Sequence, residues 1–471
     1  MLLFLILGVL SGPEVTKYVL DNGLRVVFVE DHSAPVFAGV VQFDVGSYLE
    51  HPGITGVSHL LEHMLFKGSK KLGTIDYGRE KKIIQRIWDI YEKLPYADSL
   101  ERSKLREELK KLKEEEKKLV VSEEIWKIYY RVGGANMNAS TGNTSTQYFL
   151  LLPSNKKEVW AKIESDRFQN LVLREFYSER DVVNEERRMG DGNPSSVLWD
   201  NLIATAYIAA PVRWPVIGWE SDIMNITPQE VMDYYKKNYV PERCVIVLAG
   251  DVYPEKDIKL VKKYFGRWKK RKPPLIRITQ EPEQRGTRRA HVEFRATPRM
   301  GIAFHGPYYG TKDYFALELL SMILTDGNSS IMRQELVDKG IATSVNSYVM
   351  DFDKKVVSLM TIFVNPAPGK NFKEVEDSVF SILESIKKEG ISQRSLKRAK
   401  NNYKKDILSW QKNVLWMAIG AASNERVMGD PEYSFKVLKT IEEIKIEDVM
   451  NVLKKYISLD RATIVTLGGE K

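Results

Sequence analysis

Apolar positions along the chain follow two periods. Residues 18–29, with a tight Asn22-Gly23 turn at their middle, and residues 36–45 show strand-length apolar runs, which predict a hairpin and a third strand. Residues 55–68 (TGVSHLLEHMLFKG) switch to the helical period, with Thr55 where a helix is capped and Gly68 where one ends. From 77 to 126 the chain is heavily charged. Ile83, Ile84, Ile87, Tyr91 and Leu94 form one apolar stripe, Leu105, Leu109, Leu112 and Leu119 another, and residues 95–99 supply a break and a cap. That pattern predicts an antiparallel helical hairpin, read as a solvated insertion packed along its own seam in preference to a docking or gating arm. Residues 133–141 then lead into a strand at 147–152, and residues 176–188 return to a helical face carrying Phe176, Val182, Val183, Glu179 and Glu186.

The chain repeats itself. Val231-Met232, Lys236-Lys237, Arg243 and Val245-Ile246-Val247 recur as Val449-Met450, Lys454-Lys455, Arg461 and Thr463-Ile464-Val465, a constant shift of 218 residues (231 to 449). Each copy reads as a helix feeding a strand. Two similar α+β halves follow, with the break in the basic, proline-bearing run 267–286.

With 471 residues, 43% of them hydrophobic and 28% charged, the chain can build two or three cores. Its one cysteine, Cys244, excludes an internal disulfide and a cysteine cluster, so a metal would have to be held by histidine and carboxylate. A formal charge of +8 comes without basic motifs interleaved with aromatics, and nucleic acid is not an expected partner. The first ten residues (MLLFLILGVL) are too short to span a bilayer but match a signal-peptide core. Export to a bacterial periplasm is the expectation, a cytoplasmic chain with a buried first strand the alternative. No other segment is long and apolar enough to cross a membrane.

The chemistry concentrates in residues 55–68. At about 100° per residue, His63 lies ~40° and Glu62 ~60° from His59, on opposite sides of it. Two imidazoles so placed can grip one Zn2+ while the carboxylate between them stands beside its water. Six histidines in 471 residues produce such a spacing by accident about 1% of the time, so the motif outweighs the usual reading of a histidine as a packed or surface residue. His32, His51, His291 and His305 have no such neighbour.

His59-Leu60-Leu61-Glu62-His63 is the inverted zinc motif. With Val45-Gly46-Ser47 before it and Met64-Leu65-Phe66-Lys67-Gly68-Ser69 after it, the chain resembles the pitrilysin/insulysin peptidases, in particular the branch of mitochondrial processing peptidase and its bacterial relatives. The resemblance runs over nearly the whole chain. It implies two homologous α+β halves, each a mostly antiparallel sheet with packed helices, enclosing a chamber. It also implies one Zn2+ per chain and Glu62 as general base in the hydrolysis of unstructured or targeting peptides.

The family pattern Glu-Arg-x-Val-(Val/Ile)-x-x-Glu matches residues 179–186, implying that Glu186 completes the ligand set of His59 and His63, and that Glu179 supports the site. Glu185 is adjacent, but lies about 100° around the helix and off the seven-residue frame. Residues 133–141 resemble the family's substrate-binding edge strand, which makes Asn138 and Ala139 the residues expected to pair with peptide backbone. Many relatives carry an Arg and a Tyr in the second half to grip the substrate carbonyl. Here Val337 and Thr343 stand in their place, which implies a homologous non-catalytic subunit that supplies the pair in a heterodimer, unless Arg333 or Tyr348 substitutes.

The expected partition is a signal peptide at 1–12, a zinc-binding domain at 13–266 with the hairpin inserted at 77–126, a linker at 267–290 and a second domain without zinc at 291–471. The competing reading is a non-catalytic core subunit like those of respiratory complexes, which have lost part of the motif that this chain keeps.

Overall fold

A computed structural model describes residues 14–469; the expected signal peptide lies outside them. The chain divides into two compact units, one running to Gly46 and then over 52–185 and 220–274, the other over 47–51, 186–219 and from Leu275 onward. Among the described residues no helix is long and apolar enough to cross a membrane.

In the first unit, strands β1 (Glu14–Val19), β2 (Arg25–Glu30) and β3 (Val36–Phe43) precede helices α1 (Val57–Met64), α2 (Tyr77–Lys93), α3 (Ser99–Leu119) and α4 (Glu124–Arg131). Strands β4 (Ala135–Thr141) and β5 (Thr146–Pro153) and helix α5 (Lys157–Gln169) follow, and α6 (Phe176–Asp191) begins here and runs past the division after Glu185. After α7 (Pro194–Ala206), which belongs to the other unit, come α8 (Glu220–Asn225), α9 (Pro228–Asn238), β6 (Cys244–Gly250) and α10 (Pro254–Phe265).

The second unit continues with β7 (Arg288–Val292), β8 (Arg299–His305), α11 (Lys312–Thr325), β9 (Ala342–Phe352), β10 (Val356–Pro366) and α12 (Phe372–Glu389). It ends with α13 (Gln393–Gln411), α14 (Val414–Met428), α15 (Tyr433–Glu443), α16 (Ile446–Tyr456) and β11 (Thr463–Leu467).

The two sheets share one plan. The first runs β1-β2-β6-β3-β5-β4 and the second β7-β11-β8-β10-β9. Parallel β2/β6 corresponds to parallel β7/β11, and antiparallel β3/β6 to antiparallel β8/β11. Helix α16 lies 218 residues after α9 at both ends, so the internal repeat is a repeated helix-into-strand unit. Its first copy is well capped, because Thr227 and Glu230 exchange side-chain and backbone hydrogen bonds and Pro228 opens the helix.

Burial explains the sequence pattern. β3 and β6 are buried almost throughout, as expected of strands covered on both faces, which read as continuous apolar runs rather than alternating ones. Cys244 is a buried residue of β6. In the second unit Leu202, Ala303 and Val465 belong to one core cluster, while Leu320, Ile362 and Val452 belong to another.

Three local expectations are corrected. Thr55 does not cap α1: its hydroxyl and amide both bond Asp222 of α8, at 2.6 and 3.1 Å, and the cap position falls to Gly56 with φ 89°. The helix also stops at Met64, four residues before Gly68. In α6, Phe176 and Val183 are buried but Val182 is 52% exposed, because at about 100° per residue Val183 returns to within ~20° of Phe176 while Val182 lies ~120° away from it.

Gly68 has φ 100°, and a Cβ there would collide with the Leu72 carbonyl and meet the Arg174 guanidinium at 3.2 Å, whereas Gly53, with φ 101°, faces open space. Urea unfolding should therefore show Gly53→Ala losing about 1–2 kcal/mol, the cost of the left-handed backbone, and Gly68→Ala losing clearly more. Equal losses would mean that crowding at Gly68 is relieved without cost.

Candidate metal centre

Helix α1 is short, and it is fixed from outside. Ser58 Oγ and Tyr234 Oη of α9 lie 2.7 Å apart, and Asp222 holds the preceding turn through Gly53 and Thr55. Leu60, Leu61 and Met64 are fully buried. The remaining sector carries His59, Glu62 and His63.

The structure brings His59 and His63 of α1 together with Glu186 of α6: one ligand atom from each lies within 4.8 Å of the others. Glu185, its exposed neighbour, does not belong to this group. The two imidazoles stand 4.8 Å apart, edge to face. Burial, followed by the nearby His63, depresses the pKa of His59 to about 3, so its ring is neutral at pH 7 and keeps a lone pair to offer a cation.

Glu179 occupies the Nδ1 side of His63, with Oε1 at 3.0 Å, so a metal would be met by Nε2. Lys67 Nζ holds the other oxygen of Glu179 at 2.5 Å. Burial would raise the Glu179 carboxyl, but the hydrogen bonds from His63 and Lys67 outweigh it and leave the group below its ordinary value. Two imidazole nitrogens and one carboxylate oxygen, with a carboxylate behind one ring, form a donor set that fits Zn2+ with a coordination position open.

Glu62 is 8% exposed, and its Oε2 accepts a 2.5 Å hydrogen bond from Thr141 Oγ1 at the end of β4. Among the described residues β4 is an edge strand, bonded to β5 alone. Asn138 and Ala139 stand opposite Phe149 and Tyr148, just after an irregularity between Ala135 and Asn138. Asn138 lines a cavity of about 460 Å³ together with Glu62, His63 and Glu179, while Ala139 does not touch it. Phe66 and Trp126, stacked with ring centroids 5.6 Å apart, form part of the cavity wall.

Thr141, Lys67 and Trp126 went unassigned in the sequence reading. The signal for Thr141 was weak: it closes the same Gly-rich run as Asn138, but only the β4/β5 register shows it facing Glu62. Val337, Thr343, Arg333 and Tyr348 all belong to the second unit. Thr343 Oγ1 is spent on the Asn365 carbonyl at 3.3 Å, and the ring of Tyr348 stacks on Phe363 with 5.6 Å between centroids.

Residues 25–82 match the model of the insulinase family, peptidase family M16, and residues 225–403 match that of the peptidase M16 inactive domain. The zinc protease PqqE of Helicobacter pylori is 28% identical over 464 residues, covering 97% of this chain and 93% of that protein. The beta subunit of the mitochondrial-processing peptidase of Lentinula edodes is 23% identical over 462 residues, covering 95% and 88%. A crystal structure of a protease from Helicobacter pylori superposes with a TM-score of 0.81 at 27% identity, covering 97% of this chain and 99% of that one. With an M16 model matched in each half of the chain, and relatives named zinc proteases aligned over nearly its full length, the chain belongs to the M16 family of peptidases.

Proposed function

We propose that this chain is a zinc-dependent endopeptidase acting on unstructured peptides, with His59, His63 and Glu186 as metal ligands and Glu62 as general base. The observation that carries the reading is the convergence within 4.8 Å of ligand atoms of Glu186 on α6 and of His59 and His63 on α1, the helix that also bears Glu62. Zinc held there supplies a Lewis acid that lowers the pKa of water and polarises a peptide carbonyl.

The residues divide the remaining work. Glu62 takes a proton from the attacking water and returns it to the leaving amine. Thr141, donating to Oε2 of Glu62, keeps one carboxylate oxygen occupied and turns the other toward the water. Glu179 fixes the tautomer and tilt of His63. The outer edge of β4 at Asn138 and Ala139, where Asn138 Oδ1 takes the Ala139 amide at 2.9 Å until a peptide displaces it, accepts an extended peptide by strand addition, and the cavity walled by Phe66 and Trp126 receives one of its side chains.

The second half has Val337 and Thr343 where the family resemblance implies that many relatives carry a carbonyl-gripping pair, Arg and Tyr. A homologous non-catalytic subunit would restore it, making this chain the catalytic member of a heterodimer. The beta subunit of mitochondrial-processing peptidase is a relative by name, in line with that arrangement. Cleavage of an unstructured peptide library by the purified chain, with and without a co-expressed homologous subunit, tests both points. Activity only in the mixture supports the heterodimer, and full activity of the chain alone discards it.

Glu62→Gln should keep stoichiometric zinc while lowering kcat by about 10²–10⁴, the range of a lost general base, and His63→Ala should lose metal and activity together. Zinc analysis beside steady-state kinetics checks both. Cleavage retained in the Gln variant would remove Glu62 from the role of base, and no Glu62-dependent cleavage in either sample would favour a non-catalytic binding subunit.

Thr141→Val should lower kcat about tenfold, the scale of one hydrogen bond to a charged group, with zinc content unchanged. An unaltered kcat would show that Glu62 is oriented without it.

A further inference from the structure

The inserted hairpin reaches the foot of α6 with two buried carboxylates and an aromatic ring. Glu80 of α2 and Arg174, both fully buried, form a two-pronged ion pair, with Arg174 Nη2 at 2.9 Å from Glu80 Oε2 and Nε in contact with Oε1. The same guanidinium donates to the carbonyls of Lys67, Ser69 (3.1 Å) and Leu72 (3.3 Å), which fastens the loop that leaves α1. Glu116 of α3, 5% exposed, accepts the amide hydrogen of Glu175 at 3.1 Å. Tyr91 of α2 stacks on Tyr177 in the first turn of α6, with ring centroids 3.4 Å apart.

Glu175 is the critical link. It sits in left-handed backbone at φ 52°, a conformation that a side chain disfavours and that surrounding contacts must enforce. Its carbonyl accepts the amide of Glu179 and so starts α6, and its carboxylate lies 3.5 Å from Lys67 Nζ, which in turn holds Glu179 behind His63. Contacts therefore run unbroken from Glu116 through Glu175, Lys67 and Glu179 to a metal-binding histidine. A solvated insertion would have no reason to bury charge at its root, because desolvated ions are costly unless they are held by partners.

We propose that the hairpin is a positioning element for the metal centre: Glu116 and Glu80, acting through Glu175 and Arg174, set where α6 presents Glu179 and Glu186 to the histidines of α1. The proposal rests on the zinc peptidase reading. It makes Glu116 and Glu80 positioning residues, with no contact to substrate or metal.

The test compares Glu116→Ala, which removes the acceptor, with Glu116→Gln, whose amide oxygen can still take the Glu175 hydrogen, and with Ile258→Ala, a core truncation in α10, as a control for general destabilisation. Four quantities are measured on the full chain: amide exchange at Glu175 and Glu179, zinc affinity by chelator competition, the absorption spectrum of the cobalt-substituted protein, and kcat against KM on an unstructured peptide.

For Glu116→Ala the expectation is faster exchange at both amides, zinc affinity about tenfold weaker, as for other outer-shell changes, a shifted cobalt spectrum and a lower kcat at nearly constant KM. Glu116→Gln should restore all four to within about twofold of the starting chain, and Ile258→Ala should leave exchange at these amides, affinity and spectrum unmoved. Unchanged exchange and affinity in Glu116→Ala, or the same losses in Ile258→Ala, would overturn the proposal. If the unmodified chain binds no zinc, or cleavage survives Glu62→Gln, the peptidase reading is what fails, and exchange at Glu175 and Glu179 still decides whether Glu116 positions α6.

Discussion

Two imidazoles one helical turn apart make half a metal site, and the other half must be brought to them. Here the third donor, Glu186, lies 123 residues after His63 in sequence, yet its carboxylate falls within 4.8 Å of the histidine nitrogens. No local interaction can do this. The placement of α6 against α1 is therefore the constraint on which the rest of the site depends. Glu179 on the same helix adds an independent anchor at His63, so one helix supplies both the proposed third ligand and the residue behind the proposed second.

The polar contacts around this pair of helices share one purpose. Asp222 and Tyr234 fix α1 at its start, Arg174 fixes the loop at its end, and Lys67 joins that loop to Glu179. Buried ion pairs add little net stability, because desolvation offsets their attraction. Their value here is geometric: Arg174 in the Glu80 fork cannot shift without leaving a buried charge uncompensated, and so the loop after α1 has one position.

What the sequence made legible was periodic or repeated. The i, i+4 histidines, the seven-residue frame of Glu179 and Glu186, the Asn22-Gly23 turn and the shift of 218 residues all concern spacing within one element or between two copies of one, and the helices and sheets follow them. Pairings across the fold were not legible. Thr55 looked like a cap because threonine usually is one before a helix, but Asp222, 167 residues away, takes its hydroxyl. Glu80 and Glu116 were two acids among many in a charged hairpin, and no period separates a carboxylate aimed at Arg174 or the Glu175 amide from one aimed at water. The hairpin helices at 77–93 and 99–119 follow their apolar stripes, but the segment is not solvated throughout, because its root buries Glu80 and Glu116.

The proposed function stands on one zinc ion held by His59, His63 and Glu186. X-ray absorption at the zinc edge, on the chain stripped of metal and reloaded with one equivalent, tests it most directly. The expected spectrum shows a shell of nitrogen and oxygen at about 2.0–2.2 Å containing two imidazoles, lost in His63→Ala and altered in Glu186→Gln. Stoichiometric zinc with an unchanged shell in both variants would contradict it.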